Sequence, residues 1–361
     1  MSTQVLIIGA GVIGLTSAYD LAQAGCRVTL IDRGPAGSES TWAGAGILSP
    51  LLPWDYDPAV NELARRGSLL WPKWAKQLKQ SSGIDPEYIS SGMLALDLPD
   101  AAAARHWCDR HAWAASTPPA HLASLLARPD QAIWLPEVGQ LRNPRLAQAL
   151  VQSLTSMGVS IKTDCPAIEW LTADHRISGV RTPQGVMQAD IYVLAAGAWS
   201  QALLGDQAAA LTIAPVRGQI LLFKTEPGHL PCIVYKNGRY LVPRADGHIL
   251  AGSTMEQAGF DKHTTAQARQ ELLAFAQDVL PRLNESKIVR QWAGLRPGSP
   301  DNLPTIARHP KLTNLYANTG HFRYGVTMAP ASAEILTSLV TGSTHSIEAM
   351  PYRWPTESPN N

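Results

Sequence analysis

The apolar positions of this chain follow two different periods. Residues 5–8 (Val-Leu-Ile-Ile) are continuously apolar and mostly β-branched, the pattern of a strand covered on both faces. Leu15, Ala18, Tyr19 and Ala22 then recur at helical spacing, and Gly25 stands where a helix C-terminal glycine belongs. Residues 28–31 form a second buried strand, which ends on Asp32. The alternation returns at Asn143-Pro144, read as a cap and a first-turn proline. That helix carries Leu146, Leu150 and Leu154 on one face, Gly158 ends it, and 159–162 come back as a strand. Asp57-Pro58 opens another helix, with Leu63, Leu70, Trp71, Trp74 and Leu78 in one stripe up to Gly83. Strands alternating with helices predict an α/β architecture with a parallel sheet.

The second period is two. Residues 213–256 read as antiparallel strands joined at Asn237-Gly238, a strong hairpin signal, and at Ala245-Asp246-Gly247. Alternation puts Tyr240 and Val242 on one face and Arg239 and Leu241 on the other. A helix is predicted over 265–283, and a short strand over 314–318. Residues 292–306 look too rich in glycine and proline for a regular element. A final helix is predicted over about 331–339, its N-terminus offering a positive dipole end.

Composition narrows the function. With 361 residues the chain is long enough for two domains, and only 16% are charged against a usual ~25%, so much of it is buried or faces a ligand. A net charge of +1 without basic runs argues against nucleic acid or an anionic membrane as partner. No apolar run approaches the ~18 residues of a membrane span. The first strand follows Met-Ser-Thr-Gln directly, which leaves no room for a signal peptide. The four cysteines (Cys26, Cys108, Cys165, Cys232) have no paired spacing, as in a reducing cytoplasm. His106, Cys108 and His111 match no common zinc spacing, so no metal is expected.

The chemistry begins at Gly9, Gly11 and Gly14, a G-x-G-x-x-G turn between strand and helix. Gly9 permits the tight turn, Gly11 lets a pyrophosphate approach the backbone, and Gly14 lets the helix pack on the strand. Asp32 is placed to accept from ribose hydroxyls. The Ser/Thr/Gly-rich stretch 34–56 is read as a cofactor wrap, with Ala43, Gly44, Ala45 and Gly46 small enough to lie against a pyrophosphate or a flat ring. Residues 189–200 run from an apolar strand into a second small-residue turn. These features specify a dinucleotide without choosing which one, and no Ser-His-Asp or Cys-His set accompanies them.

Four blocks carry a family resemblance: 9–14 with Asp32, 40–47, 195–200, and 292–298 followed by 320–330. Together they resemble the D-amino-acid-oxidase-type FAD-dependent oxidoreductases, most closely the glycine-oxidase branch of the thiamine pathway, over essentially the whole chain. Trp-Ala-Gly-Leu-Arg-Pro-Gly at 292–298 and Gly-His-Phe-Arg-x-Gly at 320–325 are the specific blocks. Tyr324 stands where the family pattern often has Asn.

The resemblance implies a Rossmann-like FAD-binding domain from 1–85, 141–210 and 290–361. It also implies a discontinuous α+β substrate domain from 86–140 and 211–289, built on an antiparallel sheet. It implies FAD held by Gly9, Gly11, Val12, Ile13, Gly14, Asp32 and Arg33 at the first turn. Ser40, Thr41, Ala43, Gly44, Ala45 and Gly46 belong to the wrap, and Ala167, Ala196, Gly197 and Trp199 to the second turn. Gly294, Arg296, His321, Phe322, Arg323, Tyr324, Gly325 and Val326 complete the set near the ring. No cysteine follows Cys232, so the FAD is expected to be non-covalent.

The implied reaction is oxidative deamination of glycine, sarcosine or small D-amino acids, with oxygen as acceptor and imine or glyoxylate, ammonia and peroxide as products. Arg296 and Tyr240 are the implied catalytic pair, Arg296 clamping the substrate carboxylate unless it is a salt bridge between domains. Met255 would be an apolar wall, and Arg323 either adds charge at the ring or is a surface arginine. A cytoplasmic homo-oligomer, a tetramer, is also implied. The competing readings are an FAD dehydrogenase that uses another electron carrier, an NAD-dependent dehydrogenase, and a nucleotide sensor without turnover.

Overall fold

The computed structural model describes residues 2–123, 131–344 and 347–355. Its first sheet has six strands, assembled from distant parts of the chain. β1 (Gln4–Ile8) pairs in parallel with β2 (Arg27–Ile31) and with β11 (Ile191–Leu194). β2 continues to β7 (Ser160–Lys162) and β11 to β18 (Leu315–Thr319), both parallel, and β17 (Thr305–Arg308) adds an antiparallel edge. β1 is apolar throughout because both its faces are covered. Val5 and Ile7 enter one core cluster, Leu6 and Ile8 another. The helices α1 (Val12–Gln23), α3 (Pro58–Ser82), α6 (Asn143–Ser156) and α9 (Gly325–Thr341) supply the first of these clusters. A small antiparallel meander of β8 (Glu169–Ala173), β9 (Arg176–Thr182) and β10 (Gly185–Met187) supplies part of the second.

The second sheet has seven strands, with β16 (Lys287–Gly298) at one edge. β12 (Ala214–Lys224), β13 (Ile233–Lys236), β14 (Arg239–Pro243) and β15 (His248–Gly252) are its centre, and only the β13–β4 pairing is parallel. β4 (Met93–Leu96) and β5 (Ile133–Leu135) come from the earlier insertion. Asn237 and Gly238 have φ of 48° and 80°, the left-handed pair that a two-residue hairpin requires. Leu241 shares a core cluster with Leu272 and Phe275 of helix α8 (Ala266–Val279), which packs against β12 and β15 and so covers one face of the sheet. Tyr240 and Val242 point the other way, into the core shared with the first sheet. Arg244 is buried there and joins three segments. It donates to Gln140 Oε1 at 2.8 Å, to the Leu141 carbonyl at 3.0 Å and to the Ala45 carbonyl at 2.7 Å.

Several sequence expectations are corrected. Residues 292–298 belong to a regular element, β16 (Lys287–Gly298), which pairs along β12. Pro297 and Gly294 are accommodated by the strand's place in the sheet and by a neighbouring segment. β16 is an edge strand, where a proline is tolerated, and a Cβ at Gly294 would lie 2.4 Å from that of Ala43. The domain boundary expected at 290 therefore falls inside a strand of the seven-stranded sheet. The stretch 34–56 contains a short helix, α2 (Ser40–Ala43), and β3 (Ile47–Leu48), which pairs with β6 (Gly139–Gln140). Asn143 does not cap α6 with its side chain but donates Nδ2 to the Thr41 carbonyl at 2.7 Å.

The last helix starts at Gly325, not near 331, and runs through Pro330. Proline has no N–H, so the Val326 carbonyl loses its helical donor. Trp71 of α3 replaces it, donating Nε1 to the Val326 oxygen at 2.8 Å. Trp71→Phe should therefore cost about 1–3 kcal/mol, the penalty of a buried carbonyl left alone. In a Pro330→Ala background the new N–H can return to Val326, and the cost of Trp71→Phe should shrink. Chemical denaturation of the four proteins of this cycle measures the coupling.

Candidate active site

The turn between β1 and α1 is built by close approach. Gly9 has φ of 110°, and a Cβ there would lie 2.4 Å from the Ala195 carbonyl oxygen. A Cβ at Gly14 would lie 1.8 Å from the Gly9 oxygen, so Gly14 seats the helix on the strand and reaches no cavity. Gly11 differs. Its added Cβ would meet only Thr41 Oγ1, at 3.4 Å, and Gly11 opens onto two adjoining cavities that also share Ser40, Thr41, Ala195 and Gly197.

The first cavity runs toward the end of β2, past Gly9, Asp32, Arg33, Ala167, Ala196 and Trp199. Asp32 braces the turn. Its carboxylate accepts from the Ala10 N–H at 2.7 Å and the Gly34 N–H at 3.0 Å, and burial outweighs these bonds to raise its pKa. Arg33 lies over the Trp199 ring at 3.7 Å and pairs with Glu39 at 2.9 Å. On the α1 side, the Val12 N–H donates to Thr41 Oγ1 at 2.8 Å, which ties the α2 wrap to the helix start. Ala43 lies behind this wall. It packs on Gly294, and its carbonyl accepts from Trp292 Nε1 at 3.0 Å, so neither Ala43 nor Gly294 lines either of these two cavities, contrary to expectation.

The second cavity continues past Val12, Ile13, Gly44, Ala45 and Gly46 to the seven-stranded sheet. The N-terminus of α9 opens into it, with Gly325, Val326 and Thr327 on its wall. His321 and Phe322 precede it there. His321 is buried, bonds through Nε2 to Ser332 Oγ at 2.8 Å, and has its pKa pushed down to about 3 by burial. Its Nδ1 has no hydrogen-bond partner, nor do the buried Oδ1 atoms of Asn143 and Asn318 on the same wall.

Arg296 and Tyr240 meet at the far end of this cavity. Arg296 donates Nη1 to the Thr254 carbonyl at 3.2 Å and Nη2 to Ser253 Oγ at 2.6 Å. No carboxylate among the described residues pairs with it. Burial lowers its pKa, with Tyr240 acting in the opposite sense and Arg323 adding repulsion. Its guanidinium lies over Gly218 of β12, where a Cβ would come within 2.2 Å of Nη1. Arg323 is half-buried on the same cavity rather than on the surface, 3.4 Å from the Tyr56 hydroxyl. Burial opposes its charge, but Tyr324, Tyr56, Tyr240 and Tyr235 around it hold its pKa above the ordinary value. Tyr324 packs edge-on to Tyr56 at 5.1 Å, and burial raises its pKa strongly. Met255 is 54% exposed and lines neither cavity, so it is no wall of the site.

Sequence reasoning missed Ser253, Thr254, Gly218, Asn143, Asn318 and Tyr56. Only the strand register brings Gly218 opposite Gly294, two residues from Arg296, so no local signal marked it.

A groove from a β1–α1 glycine turn to an unpaired arginine fits a dinucleotide at one end and an anionic substrate at the other. The chain matches the model of the DAO family, FAD dependent oxidoreductase, over residues 4–339. The chain belongs to this family. FAD is its cofactor, and the residues fit it. Gly11 leaves a cradle that a side chain would fill, and the unpartnered polar atoms of Asn143, Asn318 and His321 suit a ring edge of alternating donors and acceptors. Within the family, a glycine oxidase of Pseudomonas aeruginosa is 42% identical over 358 residues, 98% of both chains. A bifunctional protein ThiO/ThiG of Trichormus variabilis is 31% identical over 94% of this chain and 53% of its own length. The crystal structure of glycine oxidase from Geobacillus kaustophilus superposes with a TM-score of 0.91 at 25% identity, covering 99% of this chain and all (100%) of that one.

Gly11→Val should fold, because the new side chain meets open space, yet it should fill the cradle. FAD affinity is expected to fall roughly a hundredfold, from an overpacking cost of about 3 kcal/mol. Far-UV circular dichroism together with FAD titration of the purified variant checks both halves. His321 supplies a pH prediction. Its folded pKa lies below the unfolded value of about 6.5, so its contribution is complete above that pH and is lost as pH falls from there toward 3. Replacing His321 with Gln should remove up to one proton, about 1.4 kcal/mol per pH unit, from the acid slope of stability. Denaturation midpoints between pH 4 and 7 measure it.

Proposed function

We propose that the protein oxidises glycine and similarly small amines and amino acids at the Cα–N bond, with oxygen as electron acceptor. The observation that carries this reading is Arg296, enclosed at the end of the cavity beside Tyr240 with no carboxylate of its own. A charge so placed calls for an anion from outside. The names of the 42%-identical relative and of the Geobacillus structure support glycine as that anion's source. The ThiO/ThiG relative supports a role for the imine product in thiamine thiazole synthesis. The six-stranded sheet is read as the cofactor-binding unit and the seven-stranded sheet as the substrate-binding unit, in a cytoplasmic homo-oligomer.

FAD, when bound, supplies the two-electron acceptor for hydrogen leaving the substrate α-carbon. The chain's own residues bind and orient. Arg296 offers a planar fork to the two carboxylate oxygens, and Tyr240 brings a hydroxyl to the same place. Arg296 and Arg323 both raise the local positive potential, which disfavours an ammonium group and favours the neutral amine that can react. His321 is neutral and engaged at Nε2, so it does not add a further positive charge there. The first turn of α9 points its N–H groups at the cavity, where negative charge that develops during the reaction is stabilised.

Arg296→Ala is expected to lower kcat/KM for glycine by roughly 30- to 1000-fold, about 2–4 kcal/mol for a lost charge-assisted pair. Arg296→Lys keeps the charge but not the fork and should fall between. Ethylamine, which has no carboxylate, should be nearly indifferent to both changes. Equal losses for the two substrates would mean that Arg296 supports the fold and that the carboxylate binds elsewhere. Stoichiometric peroxide in an oxygen-electrode assay supports the oxidase, and turnover only with an added carrier would make the protein a dehydrogenase.

A further inference from the structure

The two groups that orient Arg296, Ser253 Oγ and the Thr254 carbonyl, come from one short stretch beyond β15. This stretch is a bulge. Gly252 opposes Ile220 of β12, and the next bridge joins Glu256 to Arg217. Four steps on one strand thus span three on its neighbour, and the extra residue turns Ser253 and Thr254 toward the guanidinium. A bulge lacks part of its ladder, so something else must fix its shape.

Glu256 supplies that fixing. Thr254 Oγ1 donates to Glu256 Oε1 and accepts from the Gln219 N–H at 2.9 Å. Glu256 Oε1 also accepts from Gln219 Nε2 at 2.9 Å. Its Oε2 takes Arg217 Nε at 3.0 Å and Nη2 at 2.6 Å. Arg217 spends its remaining nitrogen on Asp261 at 2.6 Å, and its side chain is 9% exposed. Strand alternation explains the division of labour on β12. Gly218 faces Arg296 and clears room for it, while Arg217 and Gln219 face the other way and hold Glu256.

We propose that Glu256, clamped by Arg217, is a positioning residue for Arg296: through Thr254 it fixes the bulge against which the carboxylate-binding fork is oriented. This rests on the reading of Arg296 as the carboxylate clamp. Glu256 itself does not line the cavity. Its role is confined to where the fork points, so its loss should appear in carboxylate binding and not in electron transfer.

The test compares Glu256→Gln, Thr254→Val, Thr254→Ser, Lys262→Ala and Arg296→Ala as FAD-loaded enzymes. Glu256→Gln and Thr254→Val are each expected to raise the glycine KM about tenfold, the effect of one lost charge-assisted or buried hydrogen bond. The kcat for glycine and kcat/KM for ethylamine should stay within about threefold of the parent, in keeping with a loss confined to carboxylate binding. Acetate binding, read from the flavin absorbance, should weaken in parallel with the glycine KM. Thr254→Ser keeps the hydroxyl and should retain the parent KM. Lys262, which pairs with Glu39 at 3.0 Å, holds the far end of the same segment. Lys262→Ala should leave the glycine KM unchanged, and a rise equal to that of Glu256→Gln would reduce the effect to general loosening and overturn the proposal. An unchanged KM in Glu256→Gln and Thr254→Val, with a raised KM in Arg296→Ala, overturns the proposal alone. An unchanged KM in Arg296→Ala overturns the carboxylate reading beneath it.

Discussion

A guanidinium taken out of bulk water must be met by fixed dipoles or an anion, at a cost of several kcal/mol if it is not. Arg296 meets a carbonyl and a hydroxyl from one direction and keeps the rest of its fork for the cavity. Much of the seven-stranded sheet near it can be understood from this requirement. β12 has a glycine where the fork lies, β15 ends in a bulge that supplies its acceptors, and β14 brings Tyr240 alongside. The sheet face opposite is sealed by α8, so only one face is open to a ligand.

The other half of the molecule addresses negative charge. α1 and α9 lie side by side in one core and both start at the groove. Thr16 of α1 reaches the Ala329 carbonyl of α9 at 3.4 Å, and Asn318 before α9 donates to Ser17 of α1 at 3.0 Å. Two positive dipole ends are thereby held in fixed relation, both at the groove.

The parts legible in the sequence were those whose cause is local. A strand covered on both faces must be apolar throughout, so β1 and β2 stood out. Asn237-Gly238 requires two left-handed residues and announced its hairpin. The G-x-G-x-x-G turn was visible for the same reason, whereas Arg296 was singled out by the family resemblance of its block. What was not legible has a distant cause. Residues 292–298 looked irregular because Gly294 answers a contact with Ala43, and α9 looked short because Pro330 is compensated by Trp71, 255 residues from Val326. Met255 was misread because the bulge beside it turns Ser253 and Thr254 inward and leaves it outside. Gly218 gave no signal, because a glycine inside a strand acquires meaning only from the side chain that crosses it.

Arg244 couples the cofactor wrap to the seven-stranded sheet. It holds the Ala45 carbonyl of the cofactor wrap, the Leu141 carbonyl and Gln140 from the residue that follows β14. Burial lowers its pKa to about 10, so it remains a cation at neutral pH. The three segments are far apart in the chain, and the groups Arg244 holds lie in the wrap and in the stretch that begins at β6. Beside this clasp the Leu141 N–H donates to the Gly46 carbonyl at 3.0 Å, and β3 pairs with β6. Any opening that frees Ala45 must therefore bring a buried cation to water and part these backbone bonds together, which couples the wrap to the seven-stranded sheet.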